Sequence, residues 1–474
     1  MDRNWKYQWN SEIEESNGLK RLIKKFIKKG ILFLFGPYAE FQNGVNAEIA
    51  QQLSDLEQSM IEMQGSQERL QEEMQKNKEQ LQIELQQKQE LLDRQEKHLE
   101  KLKSDLGAAS RQIMLTKWRQ IDHDRQIWEK PEDILTCDLC GYSQMRKDYE
   151  VKETDCIFNG GHLERYVCPG CGVIFGPDKF KNLGQDGIDE DYWVHYLGFQ
   201  EGDSTEKEIR AFKMLHPTKD GIYLDYGCGS WSKTVDVLRA EGYQVYGYEP
   251  YASDIDNPYI IGGKDNIKDM RFDGIFSNDL LEHLINPIED LKFMKSLLLR
   301  PESKMAHSTG CFAYKHEETR FHTHFFVGNS ANILAEKAGF EIIERCDDLE
   351  ENDFICCVFK MKEDKISYLP LMHVSEGGIV DEKGVCLNPA AFMFGPYINM
   401  GKGDYTIRLD IDGVVDPVVL RCTSDMGQSL IAEIAINPDE KEITLNIPAL
   451  SEKVEFVVKN ETSDEIRITD ICLL

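Results

Sequence analysis

The sequence predicts an α/β fold: a doubly wound parallel sheet with a long helical segment before it and an antiparallel β-sandwich after it. Three observations lead there. Tyr223, Leu224 and Tyr226 make a short apolar strand running into Gly227-Cys-Gly229, Ser232 to Ala240 has helical spacing with Val235 and Leu238 on one face, and Gln244 to Tyr248 is a second strand ending on Glu249. Strand, glycine turn, helix and a strand ending in an acid form one βαβ unit. From Val45 to Leu106, rich in Gln, Glu and Lys, apolar residues recur three and four apart. From about Ile379 onward, short alternating strands are separated by glycine, proline and acidic turns.

Bulk properties narrow the classes. A chain of 474 residues is too long for one core and predicts two or three folded units. The formal charge of -29 argues against a nucleic-acid binder, because phosphate contact needs a basic face. No run of apolar residues is long enough to span a bilayer, and the first eighteen residues are polar and acidic, unlike a secretory signal. Thirteen cysteines, four of them in two C-x-x-C pairs, suit a reducing cytoplasm and a metal site better than a disulfide framework.

Residues 1–44 read as a surface-seeking segment. Leu19, Leu22, Ile23, Phe26 and Ile27 share one helical stripe opposite Lys20, Arg21, Lys24, Lys25, Lys28 and Lys29, and Gly30 leads into an apolar run to Phe35. Such a segment (19–35) either lies in the interface of an anionic membrane or docks on the protein's own acidic surface. Residues 45–128 read as a coiled coil. Leu53, Leu56, Met60, Met63, Leu70 and Met74 keep a heptad seam, Leu81 and Leu85 follow a stutter, and Leu92, Leu99, Leu102 and Leu106 resume it. This predicts a homo-oligomer, dimer and trimer being equally compatible. In residues 129–185, Cys137-Asp-Leu-Cys140 and Cys168-Pro-Gly-Cys171 are two knuckles, each followed by glycine. Four soft sulfurs in tetrahedral reach select zinc in a closed, structural site. Cys156 and His162 lie between the knuckles, either as substitute ligands or as ordinary residues of a β-rich insert.

The glycine turn at 227–229 lets the backbone bend tightly and a ligand approach without meeting a Cβ. Glu249, twenty residues beyond Gly229, can accept both hydroxyls of a ribose. A dinucleotide is disfavoured. Ser232 stands where the third glycine of G-x-G-x-x-G belongs, and Asp225 would repel a pyrophosphate but suits a cation. Asp-x-Gly-x-Gly with a downstream acid resembles motifs I and II of the class I S-adenosylmethionine (SAM)-dependent methyltransferases. The resemblance implies a Rossmann-like domain over 186–370, with Asp225, Gly227 and Gly229 at the methionine part of SAM and Glu249 at its ribose. Tyr192 and Tyr196 either close over the sulfonium, which a π face attracts, or pack a helix on the sheet. Ser277 and Asn278 end the fourth strand and line the crevice floor. His283 follows as a general base toward a hydroxyl or as a structural, cofactor-side residue.

The segment His307 to Phe326 is dense in histidine and charge. A metal cluster is the first thought, yet zinc is already accounted for and the spacings along the chain fit no standard ligand set. As an acceptor-binding lid, Glu317-Glu-x-Arg-Phe-His322 would bond sugar hydroxyls, with His322 and His324 as further candidate bases; solvated loop charge is the plain alternative. In residues 371–474 six strands are expected, at 404–410, 418–422, 431–436, 443–447, 454–458 and 466–473, without a nucleophile–base pair. Phe392-Met-Phe-Gly-Pro-Tyr397 echoes Leu32-Phe-Leu-Phe-Gly-Pro-Tyr38 with no physical reason visible in the sequence.

The paired knuckles, the Asp-x-Gly-x-Gly domain and the histidine-rich loop, in this order over residues 130 to 360, resemble bacterial sugar methyltransferases with an N-terminal zinc-binding domain. The terminal sandwich resembles carbohydrate-binding modules of surface-polysaccharide enzymes. Together these imply a SAM-dependent methyltransferase acting on a nucleotide sugar or growing glycan at the cytoplasmic membrane face. The alternatives are a non-catalytic SAM-binding scaffold in a glycan-assembly complex, or a protein or lipid methyltransferase.

Overall fold

The computed structural model describes residues 18–199, 202–229, 233–250, 257–413, 417–437 and 441–474. Ser232, where the third glycine is missing, and the start of the helix expected there lie outside the described residues, as do residues 1–17. The chain divides into two units, 1–101 and 102–474.

The expected boundary at residue 44 is not marked by any break in secondary structure. One helix, α1 (Leu19–Trp128), runs through Gly30, Gly36 and Pro37 without a break. The seam residues Leu53, Leu56, Leu70, Met74, Leu81 and Leu85 are all exposed. No helix among the described residues is long and apolar enough to cross a membrane.

The second unit begins within α1, whose end is not a free rod. Met114 and Trp118 are sealed against α2 (Gly184–Tyr196) and neighbouring residues. Between these helices sits the cysteine module. It has a hairpin of β1 (Ile134–Thr136) and β2 (Ser143–Met145), then β3 (Glu150–Asp155), β4 (His162–Val167) and β5 (Ile174–Phe175). Its second sheet takes a strand from far along the chain, β11 (His324–Phe325), which pairs antiparallel with β5.

After α3 (Thr205–Met214) comes the expected βαβ unit: β6 (Ile222–Tyr226), α4 (Thr234–Ala240) and β7 (Gln244–Tyr248). The sheet continues with β8 (Ile260–Ile261), β9 (Gly274–Asn278), α5 (Pro287–Ser296), β10 (Lys304–Ser308), α6 (Ser330–Ala338), β12 (Phe340–Asp348) and β13 (Phe354–Met361). Its strand order is β12-β13-β10-β9-β6-β7-β8, parallel from β10 to β8, with β13 antiparallel to both neighbours. Alternation sets the two faces. Leu224, Ile275 and Met305 meet Leu291 and Met294 of α5 and Leu334 of α6. Tyr223, Phe276 and Ala306 meet Phe212 of α3 and Val235 and Leu238 of α4.

The terminal region starts earlier than expected, at β14 (Ile366–Ser367), which pairs with the last strand, β25 (Ile466–Leu473). The six expected strands are present, but two antiparallel sheets of six strands each share one core, so half the strands were missed. These are the short ones before Met400, whose two to five residues are too few for alternation to register. The buried Tyr368 hydroxyl donates to the Leu299 carbonyl at 2.7 Å and fixes this region to the α/β domain.

Candidate functional site

The first pole of the site is built at the carboxyl end of β6. Gly227 and Gly229 both take left-handed backbone, φ +78° and +71°, which favours glycine. The Gly227 and Cys228 amides bond to the Tyr248 carbonyl at the end of β7, and the Gly229 amide donates to Glu249 Oε2 at 3.2 Å. The turn and the acid are thus brought together as expected. Asp225 is 1% exposed, and burial, with Glu208 of α3 adding repulsion, pushes its carboxyl well above the usual range. Its Oδ2 has no hydrogen-bond partner among the described residues. Glu208 itself accepts from Ser204 and Thr234, joining α3 to α4. A Cβ on Gly229 would meet nothing within 4 Å among the described residues. An orphaned buried acid behind a glycine turn, with Glu249 bonded to that turn, marks the carboxyl end of β6 as the place where a nucleoside ligand would be held.

The second pole follows β9. A Cβ on Gly227 would stand 2.8 Å from Leu280, so the segment after β9 abuts the turn. Glu282, 1% exposed, accepts from Thr309 Oγ1 at 2.5 Å, while its Oε2 has no partner among the described residues. Burial raises its carboxyl to about 8. His283 Nδ1 lies 2.9 Å from the Tyr192 hydroxyl, and burial lowers its imidazole to about 4. His322 stands edge to face with it at 4.9 Å, and burial likewise holds it well below the ordinary histidine value. Tyr196 stacks on Tyr192 at 6.2 Å.

Two of the expected residues are turned elsewhere. Ser277 faces the α5–α6 side of the sheet, bonded at 2.8 Å to the buried His307, because β-strand alternation puts it opposite Phe276 and Asn278. Asn278 keeps to the crevice end, accepting from Ser308 at 2.7 Å and donating to Asp279 at 2.8 Å. His324 is fully buried in β11, between Thr323 (3.0 Å) and Asp138 of the first cysteine knuckle (3.2 Å). Neither the His283–His322 pair nor the glycine turn is among its partners there.

The histidine-rich loop is held, not loose. Arg165 of β4, fully buried, donates to the carbonyls of Glu317, Thr319 and His322. Arg320 pairs with Asp191 of α2 at 2.6 Å, both side chains wholly buried, and Asp191 also accepts from Trp118 Nε1 at 3.1 Å. The expectation that Arg320 bonds sugar hydroxyls is therefore corrected: its charge is spent inside the protein, as is Phe321, which stacks on Tyr192 at 4.4 Å. Arg165, Asp191 and Glu208 carried no signal in the sequence, since each stands among other charged residues of an ordinary strand or helix.

Cys137, Cys140, Cys168 and Cys171 bring their sulfurs within 4.8 Å of one another, with Cys137–Cys171 at 3.8 Å and Cys140–Cys168 at 3.4 Å. Zinc–sulfur bonds of about 2.3 Å in a tetrahedron require sulfurs about 3.8 Å apart, so the donor set fits zinc. Gly141 and Gly172 close the two knuckles with φ +80° and +87°. Cys156 faces Arg320, and His162 pairs with Asp155, so neither joins the thiols.

Residues 206–345 match a family model described as a methyltransferase domain. No curated protein matches the chain. Among solved structures it is similar to CalO1, a methyltransferase in calicheamicin biosynthesis in its SAH-bound form (13% identity, 39% of this chain and 65% of that one, TM-score 0.30). It is also similar to the mitomycin 7-O-methyltransferase MmcR (12% identity, 38% and 60%, TM-score 0.29). A third is the C-terminal CBM6 of LamC from Zobellia galactanivorans (17% identity, 23% and 96%, TM-score 0.19). The chain spans less than two thirds of either methyltransferase. The family match makes residues 206–345 a methyltransferase domain, as the resemblance carried by Asp225-x-Gly-x-Gly229 and Glu249 implied.

Proposed function

We propose that the chain is a SAM-dependent methyltransferase that modifies a hydroxyl of a sugar, as nucleotide sugar or growing glycan. The observation that carries this reading is the bare, buried Asp225 oxygen behind the 227–229 turn, with Glu249 bonded to the turn from the neighbouring strand. Asp225 and the turn would hold the methionine part and Glu249 the ribose, and SAM supplies an electrophilic methyl group. The chain's own task is then orientation and proton handling. Tyr192 fixes the His283 ring through Nδ1, and burial keeps His283 and His322 neutral at pH 7, able to take the proton of an acceptor hydroxyl. The sugar assignment is supported by the resemblance of the ordered parts, cysteine module, methyltransferase domain and histidine loop, to sugar methyltransferases. Zinc held by Cys137, Cys140, Cys168 and Cys171 would clamp the sheet that positions this loop through Arg165.

In the same reading the exposed seam of α1 pairs copies of the chain, and its basic stripe at 19–35 lies on an anionic membrane at the cytoplasmic face. Sedimentation of the full chain and of Leu70→Asp, with co-sedimentation on anionic vesicles, tests both.

The central test is calorimetric titration of the full chain with SAM, followed by release of S-adenosylhomocysteine over a panel of nucleotide sugars and glycans. Glu249→Ala is expected to weaken SAM roughly 10- to 100-fold, the loss of charged hydrogen bonds worth about 1.5–3 kcal/mol. No heat with SAM, together with an unaltered Glu249→Ala, would end the reading. Binding without turnover favours a scaffold, and turnover on protein or lipid alone removes the sugar.

A further inference from the structure

We propose that Glu282, His283 and His322 form a second metal site, separate from the four cysteines, which takes a divalent first-row transition ion. One ligand atom from each of the three residues lies within 4.8 Å of the others. Metal–ligand bonds of about 2.1 Å draw such atoms to about 3 Å apart, a movement within reach of small side-chain rotations. Three features beyond proximity point to an ion.

The carboxylate is placed for one. Glu282 is 1% exposed, its Oε1 is fixed by Thr309, and its Oε2 has no partner among the described residues. A buried oxygen left bare is costly, and a cation between it and the imidazoles satisfies it.

The second feature is the way the imidazoles are held. His322 Nδ1 lies 2.9 Å from the His316 carbonyl, which can only accept, so Nδ1 carries the proton and Nε2 keeps its lone pair. An imidazole whose far nitrogen donates to a backbone carbonyl is the usual arrangement of a metal-ligating histidine. His283 is fixed in the same manner when its Nδ1 donates to the Tyr192 oxygen at 2.9 Å.

Third, the two halves of the site are tied together independently of the ligands. The Thr323 amide donates to the Glu282 carbonyl at 2.7 Å, and its hydroxyl reaches the Glu282 and Leu284 carbonyls. Arg165 holds the His322 carbonyl from the other side. Glu282–His283 and His322 thus converge from different loops, which is why chain spacing gave no ligand pattern.

Two imidazoles and one carboxylate favour manganese, iron, cobalt, nickel or zinc over magnesium or calcium, which prefer all-oxygen shells. Three protein ligands leave positions open to water or to oxygens of an acceptor. The consequence, though not the binding, rests on the methyltransferase reading: an acceptor hydroxyl on the ion loses its proton to solvent more readily, and neither imidazole is then needed as the base.

The test uses the full chain purified with zinc in its cysteine site, titrated with Co²⁺ by calorimetry and visible absorption. One further equivalent is expected, without thiolate-to-cobalt charge transfer. Glu282→Gln and His322→Ala are expected to abolish it while retaining one zinc per chain, which reports that the fold is intact. X-ray absorption of cobalt-loaded parent protein decides the matter even if those variants fail to fold: a shell of nitrogen and oxygen with imidazole scattering supports the site, and sulfur in the shell overturns it. Absence of the extra equivalent, or its persistence in folded His322→Ala, also overturns it. SAM titrated into the same samples keeps the two ideas apart: cobalt uptake without SAM uptake removes the methyltransferase reading alone, and the converse removes the metal site alone.

Discussion

Two stretches of the one helix α1 behave differently. Between residues 53 and 85 the apolar residues of a heptad seam are 54–70% exposed, whereas Met114 and Trp118, further along the same helix, are 2% and 0% exposed. Periodicity says that a helix has an apolar stripe, and it says nothing about what covers the stripe. The chain itself covers the second stretch, with Ile188 and Val194 of α2, Phe180 and Phe321. The first stretch has no such cover among the described residues, and a second copy of the chain is its proposed one.

The comparison breaks most visibly at Trp118. Trp118→Ala removes a fully buried indole and strips Asp191 Oδ1 of its donor, and is expected to cost the second unit about 3–5 kcal/mol in urea unfolding. An equal loss from Leu85→Ala, in dilute monomeric protein, would show that the exposed seam is packed after all.

Burial also sets the pH response of the second unit. His307 is fully buried beside Ser277 and Phe359, and desolvation lowers it to about 3. Its folded value lies below the unfolded one, so its contribution is present above about pH 6.5 and is lost as pH falls toward 3. Between pH 6.5 and 5 that amounts to about 2 kcal/mol. His307→Gln is expected to flatten the stability–pH curve by this amount, and an unchanged slope would refute the assignment.

The smallest effects carry opposite signs. Gly198→Ala would put a methyl 2.9 Å from the Gly107 Cα, where α1 meets the chain after α2, and is expected to cost about 1–3 kcal/mol. Gly65→Ala, with nothing within 4 Å among the described residues, is expected to stabilise its helix by about 1 kcal/mol, read as a higher melting temperature of the helical signal. If both substitutions moved stability in one direction, the distinction between a covered and an open helix face would fail.

The βαβ unit was legible because its signals are local. Glycines 227 and 229 need left-handed backbone, β6 is a short, wholly buried and mostly apolar run that leads into them, and Glu249 follows the strand that delivers it. The four cysteines were legible for the same reason, each pair being one tight turn. The acceptor side was not. His283 and His322 meet through Arg165, Thr323 and the pairing of β11 with β5, contacts that join residues 40 to 160 positions apart and leave no trace in spacing. His324 misled because a histidine in a dense cluster gives no sign of which way its strand will face.

The sequence by itself determined the glycine turn, the acid at the end of β7, the two cysteine knuckles and the helical seam, because each depends on backbone permissiveness or side-chain period within a few residues. Tertiary structure decided the rest, and the repeated hexapeptide shows why. Phe33-Leu-Phe-Gly-Pro-Tyr38 lies inside helix α1, with both phenylalanines and the tyrosine exposed. Phe392-Met-Phe-Gly-Pro-Tyr397 instead spans two strands, with Met393 fully buried and both strands paired to Ser451–Lys459. Nearly the same six residues become strand where a neighbouring strand supplies hydrogen bonds and a core takes alternate side chains. They become helix where the backbone must satisfy itself.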